Sequence, residues 1–170
     1  RSTVRPMLRA GVNVAIGTDS TGTGSINLFE EMRFARATWR RMYGDDLSPR
    51  LIADMVTRNA AKAFRMGRDI GTLEPGRLAD VLVIRQTAAD PFESLLAART
   101  EDIELLVMEG NPLLAAAGRE ELFAARGVRA SRVKIRGREM LVKGDPAGLL
   151  ERVRRAVGFR KVLEFLPLDG

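Results

Sequence analysis

A chain of 170 residues, 45% hydrophobic and 29% charged, is long enough to bury one globular core and excludes a disordered protein. Cysteine and histidine are both absent, which rules out disulfides, thiolate nucleophiles and the Ser/His/Asp triad, and any zinc site of nitrogen and sulfur ligands built from this chain alone. The balance of 28 basic against 22 acidic residues gives a net charge of +6, but the basic groups are spread along the sequence rather than gathered into a tail.

In chain order, Val4, Met7 and Leu8 read as the end of a helix broken by Gly11. Val12, Val14 and Ile16 then alternate with the small or polar Asn13, Ala15 and Gly17, the pattern of a short strand covered on both faces, as in a parallel sheet or barrel. The polar Thr18-Asp19-Ser20 and a glycine-rich stretch to Ser25 follow. Asn27, with Glu30 three residues on, predicts a helix start, and Leu28, Met32, Ala35, Trp39 and Met42 form its apolar stripe up to Gly44. Ser48 as N-cap, Pro49 in the first turn and Leu47 stapling onto Ile52 predict a second helix. It is expected to run to about Met66, stopped by Gly67, with Ile52, Met55, Val56, Ala60, Ala63 and Phe64 inward.

From Gly71 the pattern becomes extended. Glu74-Pro75-Gly76 reads as a type II turn, Asp80–Ile84 as a strand, Asp90-Pro91 as the start of a helix to about Arg99, and Ile103–Met108 as a strand closed by a turn at Glu109-Gly110-Asn111-Pro112. A helical piece near Arg119–Ala125 leads to Val133–Arg138 and Met140–Lys143. The tail from Asp145 reads as helical, with Leu149, Leu150, Val153 and Val157 at helical spacing.

Asp19 is the leading candidate for chemistry, because a carboxylate at the carboxyl end of a buried strand stands where the loops of parallel α/β folds converge. Its bland counterpart is a residue capping its own loop. Gly22 and Gly24 make a poor phosphate cradle, since no Lys-Ser/Thr follows the last glycine. Glu30-Glu31 and Asp45-Asp46 are sequence neighbours that point in different directions, and Asn59 and Trp39 read as packing residues. If 132–138 is one strand, Arg132, Lys134, Arg136 and Arg138 share a basic face, but no aromatic residue interleaves it.

The blocks Gly11–Ser20, Leu28–Arg33, Leu47-Ser48-Pro49, Thr57–Ala61 and Ile70–Ile84 together resemble the amidohydrolase superfamily. The likeness is to the branch holding cytosine- and guanine-type deaminases, triazine hydrolases and imidazolonepropionase, and it extends over roughly residues 7–110. It implies an α/β fold class: the last strand and helices of a (β/α)8 TIM-like barrel plus part of a small β-sandwich subdomain. The expected division is 1–66 for the barrel portion, 67–144 for an incomplete sandwich and 145–170 for a helical tail. The resemblance assigns Asp19 to the metal ligand and general base of the eighth strand, and Ser20–Ser25 to the mouth of the barrel, with Ser20 and Thr21 as the substrate-binding residues. It places Asp80 in the subdomain, fixing a turn or a strand start. The implied cofactor is a divalent metal, zinc ahead of iron, held only in the complete protein because the remaining ligands are histidines.

The expected activity is hydrolysis of C–N bonds in a small-molecule substrate, by deamination or amide cleavage. The expected partner is a missing N-terminal portion of the same protein, in a homo-oligomer when complete. The segment alone, opening on Arg1 rather than on methionine, is expected to be inactive. A cytoplasmic address without membrane contact is the default. Nucleic acid is disfavoured, although a stand-alone basic module binding nucleic acid or another anion is the alternative.

Overall fold

The computed structural model describes residues 3–20, 22–159 and 168. The chain divides into two compact units, one of Arg1–Leu78 with Gln86–Ala97, the other of Ala79–Arg85 with Ala98–Gly170.

The first unit is helical: α1 (Val4–Arg9), α2 (Leu28–Tyr43), α3 (Pro49–Val56), α4 (Arg58–Ala63) and α5 (Pro91–Ala97). Asn27 caps α2 as its sequence predicts. The Glu30 N–H donates to Asn27 Oδ1 at 3.0 Å, and left-handed Gly44 closes the helix with its N–H on the Arg40 carbonyl at 2.9 Å. α2 packs on α3 and α5, which bury Phe29 and Met32 but leave Leu28 and Met42 exposed, so the inward face is turned from the expected stripe.

The helix expected over 48–66 is two helices. Thr57 leaves helical geometry at φ −120°, ψ −97°, while its hydroxyl donates to the Ala53 carbonyl at 2.7 Å, competing for the backbone ladder as β-branched hydroxyl residues do. The stop also comes earlier than Gly67: Arg65 takes the left-handed conformation, and the Met66 N–H reaches back to the Ala61 carbonyl. Ile52 and Met55 are fully buried, as expected of the inward stripe, and Leu47 is buried with them; Phe64, expected inward, lies beyond the break and is exposed.

Arg36 ties three parts of this unit together. Its guanidinium, 15% exposed, donates to Asp46 at 2.6 Å and to both oxygens of Glu93 on α5 at 2.6 and 2.7 Å. Hydrogen bonds from Arg36, with Arg40 adding to those on Asp46, hold both carboxyls below their ordinary range, and the two carboxylates raise the Arg36 guanidinium further. Arg5 also pairs with Asp45 and lies over the Tyr43 ring, 4.1 Å from its centroid.

The second unit holds a five-stranded antiparallel sheet in the order β1-β2-β3-β5-β4, made of β1 (Val81–Ile84), β2 (Ile103–Met108), β3 (Asn111–Ala116), β4 (Ala130–Ile135) and β5 (Arg138–Lys143). Helix α6 (Glu120–Ala124) sets Phe123 into a cluster with Ala115 and Leu141. Strand β3 is absent from the sequence reading, which closes β2 with a four-residue turn. The turn is only Glu109-Gly110, at φ +50° and +76°, the pair of left-handed residues a two-residue hairpin of right-handed twist requires. Asp80 fixes it, as expected, by accepting the Glu109 N–H at 2.8 Å.

The basic ribbon expected over 132–138 is not one strand. β4 ends at Ile135, and Arg136-Gly137 form another left-handed two-residue turn, so Arg138 lies on the neighbouring strand opposite Ile135. Arg132 pairs with Glu120, Arg136 lies 3.9 Å from Glu101, and Arg138 donates to Glu104 at 2.7 Å. The four cations therefore share no single strand face, and three face carboxylates. Helix α7 (Pro146–Val157) starts on Asp145, whose side chain accepts the Gly148 N–H, and buries Leu150 while leaving Leu149, Val153 and Val157 exposed. Among the described residues no helix is long and apolar enough to cross a membrane.

Candidate functional site

Val12–Ile16 is where the sequence predicts a strand, and no ladder forms there among the described residues. A strand is defined by its neighbours, and this segment has none within the described residues. It is held from the side instead. Asn13 Nδ2 donates to the Asn59 carbonyl at 2.9 Å, Asn59 Nδ2 donates to the Val14 carbonyl at 3.0 Å, and the Ile16 N–H reaches the Met55 carbonyl at 3.2 Å. Asn59 is thus a bonded packing residue, as read, and the exchange of amides fixes the segment that leads to Asp19.

Asp19 is exposed and left-handed, at φ +55°. The chain then folds back: the Ser20 carbonyl accepts the Thr23 N–H at 3.1 Å and the Gly24 N–H at 2.7 Å. Thr23 Oγ1 comes to 3.2 Å from Asp19 Oδ2 and donates to it, and Ser20 Oγ lies 2.9 Å from Thr23 Oγ1. Gly24 passes so close to Thr18 that a Cβ would stand 1.7 Å from the Thr18 carbonyl oxygen. Beyond it, the Ser25 hydroxyl donates to Glu31 Oε2 at 2.7 Å in the first turn of α2.

Of the sequence-derived site residues, Asp19 and Ser20 stand together on this turn, and Thr21 lies outside the described residues. The sequence reading weighs Gly24 only as part of a phosphate cradle and Thr23 only as part of the Ser20–Ser25 mouth, and pairs neither with Asp19. The available signal is a hydroxyl four residues beyond an aspartate in a glycine-rich stretch, a local bonding pattern common in turns.

A metal does not fit the donors this chain brings. Histidine and cysteine are absent, and among the described residues no three aspartates or glutamates converge. A lone exposed carboxylate supplies one ligand where a zinc centre needs three or four.

The chain belongs to the amidohydrolase family, whose sequence model matches residues 1–112 and so includes the Asp19 turn. A 5-methylthioadenosine/S-adenosylhomocysteine deaminase of Moorella thermoacetica is 34% identical over 122 residues, covering 66% of this chain and 28% of that protein. A 5'-deoxyadenosine deaminase of Methanothermobacter thermautotrophicus is 28% identical over 123 residues, again 66% and 28%. Among solved structures, an adenosine deaminase from Xanthomonas campestris with bound zinc superposes with a TM-score of 0.59 at 25% identity, over 70% of this chain and 30% of that one. Atrazine chlorohydrolase from Arthrobacter aurescens, complexed with zinc, gives a TM-score of 0.57 at 27% identity, over 73% and 31%. The chain therefore spans little more than a quarter of the length of these curated relatives.

Proposed function

We propose that this chain is the carboxyl-terminal portion of a hydrolase that acts on carbon–nitrogen bonds other than peptide bonds, by deamination of a small molecule. We assign residues 1–66 to its (β/α)8 barrel and 67–144 to the attached subdomain, although 67–78 and 86–97 pack with the helical unit; of the expected tail over 145–170, α7 covers Pro146–Val157, and residues 160–167, 169 and 170 lie outside the described residues. The two curated relatives are named as deaminases of 5-methylthioadenosine and S-adenosylhomocysteine and of 5'-deoxyadenosine, and 5'-modified adenosines are the substrate class we assign to the complete protein. The observation that carries the reading is the family match across residues 1–112, with an exposed carboxylate presented at Asp19 on a closed turn.

Asp19 accepts a proton from the water that attacks the carbon bearing the amino group and returns it to the departing nitrogen, which leaves as ammonia. It would also serve as a carboxylate ligand to a metal centre whose other ligands lie outside these residues. Among the described residues no three carboxylates converge to complete such a centre, and the 170-residue chain by itself is expected to be inactive.

The test is a hybrid in which this chain replaces the matching carboxyl-terminal part of the Moorella enzyme. The expected result is ammonia release from 5-methylthioadenosine by the hybrid, none by the isolated chain, and loss of activity in Asp19→Asn. A hybrid that turns over equally well with Asp19→Asn overturns the reading.

A further inference from the structure

The turn after Asp19 is built more tightly than a connection to α2 requires. Ser20 takes two amides on one carbonyl oxygen, Gly24 threads past Thr18 where no side chain fits, and Asp19 carries a left-handed backbone that glycine would adopt more freely. Strain of this kind persists where the surroundings fix it, and it gathers at functional positions. The result of the fold-back is one contact to the candidate carboxylate: the Thr23 hydroxyl on Oδ2. Since Thr23 donates its proton to Asp19, the Ser20 hydroxyl is the donor in the Ser20–Thr23 bond, and the order of donation is Ser20 to Thr23 to Asp19. No described residue hydrogen-bonds Oδ1.

We infer that Thr23 is a positioning residue for Asp19. Its hydroxyl occupies Oδ2 and fixes the rotation of the carboxylate, so that Oδ1 is the oxygen presented to the reacting water. Gly24 is needed because only a residue without a Cβ lets the turn close far enough to bring Thr23 over Asp19. The inference rests on the reading of Asp19 as the proton acceptor.

Two experiments test it. In the hybrid enzyme, Thr23→Val is expected to lower kcat by about tenfold, the loss of one oriented hydrogen bond, with KM nearly unchanged. Thr23→Ser, which keeps the hydroxyl, restores kcat to within about threefold, and Gly24→Ala lowers it as Thr23→Val does. A Thr23→Val enzyme with the parent kcat, or a Thr23→Ser enzyme as impaired as Thr23→Val, overturns the inference.

The second experiment needs no activity and uses thermal unfolding of the 170-residue chain in a double-mutant cycle. Thr23→Val is expected to lower the midpoint by about 1–2 °C when Asp19 is present and to leave it unchanged in an Asp19→Gly background. Equal shifts in both backgrounds overturn the contact. If the parent hybrid releases no ammonia, the assigned activity fails while this cycle still decides the Thr23–Asp19 pairing.

Discussion

Replacing Arg36 with methionine removes the group that joins α2 to the 44–48 connection and to α5, while keeping an unbranched chain of similar length. The parent guanidinium is 15% exposed and its two carboxylate partners 42% and 39%, so the site lies between two known regimes. Breaking a fully buried pair costs about 3–5 kcal/mol, whereas an exposed pair is worth about 0–1 kcal/mol. Asp46 keeps Arg40, at 2.8 Å, and both carboxylates reach water once released. We therefore expect a loss of about 2 kcal/mol, which at a urea dependence of about 2 kcal/mol per molar moves the unfolding midpoint down by about 1 M. The effect has a pH signature. Both carboxyls titrate lower in the folded chain than their ordinary values of 3.8 for Asp46 and 4.5 for Glu93, so the stability they contribute is complete above about pH 5 and is lost as pH falls through the folded values. The gap between parent and Arg36→Met is expected to narrow steadily as urea melts are repeated from pH 6 towards about pH 2.5. An unchanged midpoint at neutral pH, or a gap that does not narrow in acid, refutes the assignment of Arg36 as the tie.

Two further outcomes follow from the same structure. Met55→Ala, at a side chain with 1% exposure, is expected to cost about 2–5 kcal/mol by leaving a cavity beneath the segment that leads to Asp19, read as a lowered urea midpoint. Metal analysis of the purified chain after equilibration with zinc is expected to give far less than one ion per chain, and tight stoichiometric zinc would show that the ligands have been misassigned.

The parts of the fold legible in the sequence are those decided within a few residues. The Asn27 cap, the Gly44 stop, the Glu74–Gly76 turn and the Asp145 helix start are local bonding patterns, and each stands where its residues place it. The misreadings are decided elsewhere. Strand β3 reads Asn-Pro-Leu-Leu-Ala-Ala, with little β-propensity of its own, and exists because β2 and β5 lie on either side. Arg136-Gly137 reads as the middle of an alternating strand, because Val133, Ile135 and Gly137 continue the period through a turn that only backbone handedness reveals. At the candidate site the position of Asp19 was legible from the strand-like run before it and the glycines after it. The pairing with Thr23 was not, since it depends on how tightly the chain folds back past Thr18.

The path of the chain crosses from one compact unit to the other three times, after Leu78, after Arg85 and after Ala97. Neither half is a continuous stretch, so no single scission releases either of them whole. A cut at Leu78 strips the helical half of Glu93 and Leu96, and a cut at Ala97 leaves β1 stranded on the wrong piece, with β2 robbed of its outer neighbour. Shuffling this segment among relatives must therefore move residues 79–97 together with both flanks, and a crossover placed inside that interval is expected to give insoluble protein.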